Sequence, residues 1–175
     1  VLYPALDNVS FVVLNSADKA RLERFGVKGT KVFHLPNPVA ETFNPQSRGE
    51  AKVLVRNSLG LKSGKLLVTY PVRVIRRKNV GELILLAHLF REKAHWLITQ
   101  PPRNPVEIEP YLKWKQFCLD HKIEVQFEAG EQVEFETLMR ASDACITTSV
   151  QEGFGMAFME PWSFGLPVIG RDIPE

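Results

Sequence analysis

Two carboxylates and a pair of glycines near the C-terminal end of the chain have the types and spacing to do chemistry. The segment 151–155 (QEGFG) follows an apolar run and opens a predicted helix, so its glycines allow close backbone approach at a helix N-terminus. The unpaired N–H groups of such a terminus carry a partial positive charge that suits a phosphate. Glu152 lies in this segment, and Glu160 follows after seven intervening residues, in the second turn of the helix. Two carboxylates that flank a phosphate-binding turn can accept hydrogen bonds from the hydroxyls of two sugars.

A second set of charged side chains lies between residues 73 and 78. Arg73 comes at the end of a predicted strand, and Lys78 follows five residues later at the start of a predicted helix. Arginine offers a planar fork of donors and lysine a point charge, so together they can neutralise a diphosphate as it leaves. Arg76 and Arg77, which lie between them, are interpreted as a solvated basic turn.

These segments together resemble the donor-binding half of family 4 (group 1) retaining glycosyltransferases, enzymes whose two Rossmann-like domains form the GT-B arrangement. The stretch 149–155 (SVQEGFG), continuing through Glu160 to GLPV at 165–168, is similar to the Glu-x7-Glu signature of that family. Arg73 and Lys78 are similar to its Arg and Lys pair. The resemblance covers nearly the whole chain.

The resemblance implies a role for each residue of the glycine-rich segment and the helix after it. Glu152 would contact the transferred sugar, and Glu160 would hold the ribose of the donor. The backbone amides of three residues would contact the sugar and its phosphate: Gly153, Phe154 and Gly155.

For Arg73 and Lys78 the resemblance implies binding of the donor diphosphate. Together with Glu152 they would form the catalytic set as the anomeric carbon departs toward an oxocarbenium-like state. The implied reaction moves a hexose from a nucleoside-diphosphate sugar to an acceptor, and the residues identify neither the base, the sugar nor the acceptor. One departure from the family pattern is Pro161, which can bend the helix and alter the orientation of Glu160.

The elements that must position these groups alternate along the chain. Strands are predicted at residues 9–14, 31–35, 66–72, 95–99, 123–127, 143–147 and 167–169. Helices are predicted at residues 16–25, 51–59, 80–90, within 105–120, at 133–139 and at 156–164. This alternation predicts an α/β fold, a Rossmann-like parallel sheet with helices on both faces. Ligands of such a sheet bind at the carboxyl ends of its strands.

A stretch rich in proline and asparagine, residues 36–47, predicts a linker between domains. We expect residues 1–40 to be the end of an N-terminal domain with its linker, and residues 41–175 to be the donor-binding domain, incomplete at its C-terminus. On this interpretation the acceptor-binding domain lies outside the chain. The chain alone is then expected to be inactive.

The composition argues against several classes of function. The 175 residues carry a net charge of +2 without a broad basic patch, so no nucleic-acid partner is expected. Cys118 and Cys145 lie far apart, which argues against a disulfide framework or a zinc site and predicts a reducing, cytoplasmic location. No apolar run reaches the roughly 18 residues that a membrane-spanning helix needs. Peripheral contact with a membrane surface stays open.

Other nucleotide-binding motifs fail at positions that their chemistry requires. Gly64-Lys65 suggests a P-loop, but Leu66 stands where Ser or Thr must hold magnesium. A dinucleotide fingerprint fails because Phe158 occupies the third glycine position. No Asp-x-Asp pair occurs, so cationic side chains must replace a metal at the diphosphate, and we expect neither a metal ion nor another cofactor.

One alternative of a different class is a non-catalytic Rossmann-like nucleotide-binding module with a regulatory or scaffolding role. The combination of Arg73, Lys78, Glu152 and Glu160 favours the enzyme. A module without catalysis has no physical need for two separate sites, one for an anion and one for hydroxyls.

Overall fold

The computed structural model describes residues 8–25, 31–39, 47–152 and 155–173. Near the N-terminus, a two-stranded parallel sheet and one helix are formed by β1 (Ser10–Val13), α1 (Ser16–Arg24) and β2 (Lys31–His34). The side chain of Asn15 caps α1 by accepting a hydrogen bond from the N–H of Asp18.

The larger sheet of the described residues has five parallel strands, with helices on both faces. Its strands are β3 (Leu66–Arg73), β4 (Ala94–Gln100), β5 (Val125–Gln126), β6 (Ala144–Thr147) and β7 (Val168–Gly170). The helices are α2 (Arg48–Ser58), α3 (Val80–Leu89), α4 (Pro105–Asp120), α5 (Ala129–Gln132), α6 (Phe135–Ala141) and α7 (Met156–Ser163). Within these ranges no helix combines the length and the apolar character needed to cross a membrane. The predicted α/β fold class is confirmed.

The strand order, β5-β4-β3-β6-β7, places β3 at the centre of the sheet. From β3 the chain adds β4 and β5 on one side and then crosses to add β6 and β7 on the other. The carboxyl ends of β3 and β6 therefore flank the point where the direction of winding reverses. In open sheets of this kind a crevice forms at that point, so the topology itself specifies where a ligand would bind.

An irregularity in β3 shapes the end of the strand that carries Arg73. The register between β3 and β4 shifts between Tyr70 and Arg73. Pro71 lies in this interval and has no N–H to donate to the ladder, which explains a local break in pairing. The strand nevertheless continues one residue beyond its predicted end, so Arg73 lies at the carboxyl-terminal end of β3.

The core lies on both faces of the sheet, because alternate residues of each strand point to opposite sides. Tyr70 and Ile98 belong to the cluster that α3 and α4 cover, whereas Leu67 and Leu97 belong to the cluster that α2 and α6 cover. Burial of one such leucine contributes about 1.5 to 3 kcal/mol. This packing fixes the strand ends relative to one another.

Three predicted elements differ from the structure by more than one residue at an end. Helix α2 begins at Arg48 rather than residue 51, because Ser47 and Glu50 form a capping box. The helix predicted at 133–139 is α6, which begins two residues later, at Phe135, because Val133 is extended (φ −135°) after the short helix α5. The strand predicted at 123–127 pairs with β4 only at Val125 and Gln126.

At the amino-terminal edge of the sheet, Asp143 joins β6 to β3 and α2. Its carboxylate accepts from the N–H of Leu67 at 3.0 Å, from Lys52 at 2.5 Å and from Arg48 at 3.1 Å. Burial would raise the pKa of Asp143, but these hydrogen bonds and the two positive charges outweigh it and lower the pKa below its ordinary value. The ionised form of Asp143 therefore stabilises the folded state.

We expect Asp143→Asn, which keeps the acceptor for the N–H of Leu67 but removes the charge, to lower the free energy of unfolding by about 1 kcal/mol at neutral pH. Because the folded pKa is depressed, the stabilisation is fully present above the unfolded pKa of about 3.9 and is lost as the pH falls through the folded pKa. Urea unfolding at neutral pH and at about pH 3 measures the difference. A gap between wild type and variant that does not shrink at acidic pH would contradict this account.

Candidate active site

A cleft of 480 Å³ opens at the carboxyl ends of β3 and β6. Among the residues that line it are five of those predicted from the sequence: Arg73, Lys78, Glu152, Gly155 and Glu160. The other two, Gly153 and Phe154, lie outside the described residues. Groups that are distant in the sequence therefore meet around one space at the switch point of the sheet.

A larger cavity of 630 Å³ lies beside the cleft, between the start of α3 and α4. Its lining includes Val80, Tyr111 and Trp114, and its charged residues are Arg76 and Glu107. The lining of the cleft, in contrast, includes four cationic side chains and two carboxylates. We therefore assign the candidate active site to the cleft.

A tight turn after β3 positions Lys78. It is the last residue of a 3-10 helix, Arg76–Lys78, and its N–H donates to the carbonyl of Ile75 at 2.9 Å. Asn79 then adopts a left-handed conformation (φ 48°), which asparagine tolerates better than most residues, and begins α3. The turn buries the Lys78 side chain, which is 9% exposed.

Lys78 and Glu152 form an ion pair within the cleft. The Lys78 Nζ lies 2.5 Å from the Glu152 Oε1, and the Glu152 side chain is only 7% exposed. Removing two charges from water is costly, so a buried ion pair is weak evidence for a stabilising role. A role in binding gives a better reason for these charges.

The pKa of each partner lies below its ordinary value. Burial would raise the pKa of Glu152, but the hydrogen bonds from Lys78 and Ser149 and the charges of Lys78 and Arg77 outweigh it, so the carboxylate form is favoured. Burial lowers the pKa of Lys78, and its pairing with Glu152 offsets part of this effect. An anionic ligand entering the cleft would favour the ammonium form of Lys78 and raise its pKa.

Arg77 lies in an exposed turn, as interpreted from the sequence, but it also contacts Glu152. Its Nη1 donates to the Glu152 Oε2 at 3.2 Å and to the carbonyl of Gln151 at 3.0 Å. The basic run alone could not reveal this contact, because it depends on how closely the turn approaches a loop far along the chain. Arg76 is exposed, in agreement with its interpretation.

Arg73 reaches the cleft from the end of β3 and is oriented by the neighbouring strand. Its Nε donates to the Oε1 of Gln100, the last residue of β4, at 3.0 Å. This bond leaves the two terminal nitrogens of the guanidinium for a ligand. Arg103, in the loop after β4, lines the same cleft and was not identified from the sequence. The sequence feature that could have identified Arg103 is its position just beyond the carboxyl end of a predicted strand.

The N-terminus of α7 faces the cleft through Gly155, Met156 and Ala157. Gly155 is the N-cap, with a left-handed backbone (φ 85°) that favours glycine, and no side-chain hydrogen bond caps the helix there. The partial positive charge of the helix terminus is therefore directed at the same space as Arg73 and Lys78.

Glu160 lines the cleft from the second turn of α7. Helix α7 continues past Pro161 to Ser163, so the proline does not remove Glu160 from the site. Burial raises the pKa of Glu160. Among the described residues its carboxylate has neither a hydrogen-bond nor an ion-pair partner, so it can accept hydrogen bonds from a ligand.

A fully buried tyrosine, Tyr70, connects the two halves of the site, and the sequence analysis missed it. Its hydroxyl donates to the carbonyl of Lys78 at 2.9 Å and lies 2.8 Å from the Oγ of Ser149. Thr148 donates to the same carbonyl at 2.9 Å. The sequence feature that could have indicated this network is the polar run 147–149 (TTS), at the end of an otherwise apolar strand.

The two cysteines, Cys118 and Cys145, lie in the core. Both are buried free thiols, and burial raises the pKa of Cys118 to about 11 and that of Cys145 to about 12. Across the described residues, His, Cys, Asp and Glu side chains form no group of three or more that could hold a metal. The expected independence from metals stays a prediction.

Comparison with known proteins places these features in a wider context. Residues 53–175 match the model of a family described as glycosyl transferases group 1. Over 168 residues the chain is 31% identical to mannosylglucosyl-3-phosphoglycerate synthase from Petrotoga mobilis, and the match covers 91% of this chain. It covers 33% of that relative, so the chain spans about a third of its length.

Solved structures agree in fold. Sucrose-phosphate synthase from Thermosynechococcus elongatus superposes with a TM-score of 0.67 and 20% identity, over 96% of this chain and 42% of that one. The catalytic domain of starch synthase IV from Arabidopsis thaliana, bound to ADP and acarbose, gives a TM-score of 0.64 and 20% identity, over 94% of this chain and 39% of that one.

Proposed function

The chain belongs to the group 1 glycosyltransferases, and from this premise we propose that it binds a nucleoside-diphosphate sugar, whose sugar is transferred to an acceptor with retention of configuration. One observation carries the proposal. Two side-chain cations, Arg73 and Lys78, meet the N-terminus of α7 and two carboxylates, Glu152 and Glu160, around a single cleft. The family match favours this enzyme over a non-catalytic module.

Each group has a distinct task in the proposed reaction. Arg73, Lys78 and the N-terminus of α7 bind the diphosphate. As the bond from the anomeric carbon to the phosphate oxygen breaks, negative charge grows on the diphosphate, and these fixed positive groups stabilise it. Glu152 accepts hydrogen bonds from the transferred sugar and Glu160 from the ribose.

Three further parts of the proposal concern the protein as a whole. Cationic side chains stabilise the leaving diphosphate without a metal ion. The acceptor binds to another domain, with the boundary near residue 40, so this chain alone does not complete the reaction; its coverage of only 33% of its relative supports a longer protein. A cytoplasmic setting is consistent with two buried free thiols.

Thermal unfolding of the purified chain with UDP, GDP, ADP and CMP tests the donor site. A ligand present at 100 times its Kd adds about 2.7 kcal/mol to the free energy of unfolding. We expect one diphosphate to raise the Tm selectively, which would also identify the base. An unchanged Tm with all three diphosphates at millimolar concentration would contradict the proposal.

Glu152→Gln is expected to weaken binding of the nucleotide sugar by about tenfold, the loss expected for one hydrogen bond to a charged group. Binding of the free nucleoside diphosphate should not weaken, since the substitution removes an anion that competes for Lys78. Calorimetric titration with UDP and UDP-glucose, GDP and GDP-mannose, and ADP and ADP-glucose measures the two affinities. Glu136→Gln, an exposed change on α6, is the control. Equal losses for both ligands of a pair would refute the assignment of Glu152 to the sugar.

A further inference from the structure

Glu152 has two cationic neighbours, and one of them is also the proposed ligand of the diphosphate. Lys78 contacts its Oε1 and Arg77 its Oε2. Under the proposed function, on which this inference rests, the donor diphosphate competes with Glu152 for Lys78. We propose that Arg77 is a positioning residue, which holds Glu152 toward the transferred sugar while the diphosphate engages Lys78.

Three contacts join Arg77 to the loop that carries Glu152. The Arg77 guanidinium bridges the carbonyl of Gln151, at 3.0 Å, and the carboxylate of Glu152, at 3.2 Å. The carbonyl of Arg77 accepts from the N–H of Val150 at 2.9 Å. Both side-chain contacts are made by the same nitrogen, Nη1, so the guanidinium fixes the backbone before Glu152 and the carboxylate together.

The charges explain why a second cation is needed. The Glu152 side chain is almost fully buried, and a buried carboxylate that loses its counter-charge is strongly destabilised. Without Arg77, a diphosphate that drew Lys78 away would leave Glu152 unpaired and repel it from the cleft. The Arg77 side chain is 43% exposed, so water solvates its positive charge. Its hold on Glu152 therefore does not depend on the state of Lys78.

The adjacent Arg76 provides a matched control. It carries the same charge in the same 3-10 helix, and its side chain makes no hydrogen bond or ion pair with the described residues. Its backbone N–H donates to Glu107 at 3.2 Å, a contact that substitution of the side chain preserves. Arg76→Ala therefore removes a positive charge near the cleft without removing the contact with Glu152.

The test compares Arg77→Ala, Arg77→Lys and Arg76→Ala by calorimetric titration with UDP, GDP and ADP and with UDP-glucose, GDP-mannose and ADP-glucose. For the pair that wild type binds, Arg77→Ala should weaken the nucleotide sugar about tenfold more than the free diphosphate, as for one hydrogen bond to a charged group. Arg77→Lys should recover part of this loss, and Arg76→Ala should change neither affinity. Combining Arg77→Ala with Glu152→Gln should add little to Glu152→Gln alone, because both remove the same contact.

The possible results separate this inference from the proposed function. If wild type binds none of the diphosphates, the proposed function fails and the inference fails with it. If wild type binds but Arg77→Ala lowers both affinities of a pair equally, Arg77 is a diphosphate ligand rather than a positioning residue. An additive double variant, or no loss in Arg77→Ala, also overturns the inference. If Arg77→Ala lowers the Tm of the chain too far for titration, Arg77→Lys and its combination with Glu152→Gln give the same comparison.

Discussion

Lys78→Ala is expected to slow sugar transfer by about 100-fold or more, as when one fixed stabilising donor is removed from a transition state. The substitution removes the buried ammonium from the cleft and leaves the Glu152 carboxylate without the partner that lies 2.5 Å away. Binding of the diphosphate should suffer as well, because Glu152 would then repel it. Transfer is measured in a protein that joins this chain to an acceptor-binding domain, and binding by thermal unfolding of the chain with UDP, GDP and ADP.

A second substitution separates the two effects of Lys78→Ala on diphosphate binding, which are loss of the ammonium and repulsion by the unpaired Glu152. In Lys78→Ala combined with Glu152→Gln, the repulsion is gone, so part of the stabilisation by the diphosphate should return while transfer stays slow. Lys62→Ala, which removes an exposed lysine distant from the cleft, controls for the general loss of charge. A transfer rate in Lys78→Ala equal to that of wild type would exclude a catalytic role for this residue.

Much of the fold could be predicted from the sequence, because its signals are local. Apolar runs alternate with segments of helical period, and α4 lies in the range 105–120 within which a helix was predicted. Boundaries were missed where the decisive group lay just outside the apolar pattern. The capping box of Ser47 begins α2 before its first apolar residue, and the extended Val133 delays the start of α6 to Phe135.

The candidate site was predictable to the extent that topology brings its residues together. Arg73 and Glu152 lie at the ends of β3 and β6, and the carboxyl ends of parallel strands meet at one edge of the sheet. The contacts of Arg77 and Tyr70 were not predictable, since they depend on which atoms approach once the turn after β3 and the loop after β6 have packed. Arg77 reaches a residue 75 positions away, and Tyr70 one 79 positions away.

The same contacts indicate how the site is kept in shape. Two segments carry the buried charges of the site, the turn after β3 and the loop after β6. Neutral hydroxyl groups in the core form hydrogen bonds with both segments. Those hydroxyls satisfy the carbonyl of Lys78 and the side chain of Ser149 without adding charge to the core. Fully bonded buried polar networks of this kind rigidify the parts they join.

Tyr70→Phe is therefore expected to lower the free energy of unfolding by about 1 to 3 kcal/mol, because buried polar groups lose their partner. Tyr70 has no exposed surface, so water cannot replace the lost bonds without rearrangement. The carbonyl of Lys78 keeps its bond from Thr148, whereas the turn and the loop lose the hydroxyl that joins them. The stabilisation that a nucleoside diphosphate gives should fall as well, since the two segments would no longer be held at a fixed separation.

The matched control for Tyr70→Phe is Thr99→Val on the neighbouring strand. Thr99 is also buried, and its hydroxyl donates to the carbonyl of Val72 at 3.1 Å without touching the turn or the loop. Both variants should unfold at lower urea concentration than wild type, but only Tyr70→Phe should also lose part of its stabilisation by UDP, GDP or ADP. If both variants lose stability and retain the full effect of the diphosphate, Tyr70 supports the core alone, and the link between its hydroxyl and the site is wrong.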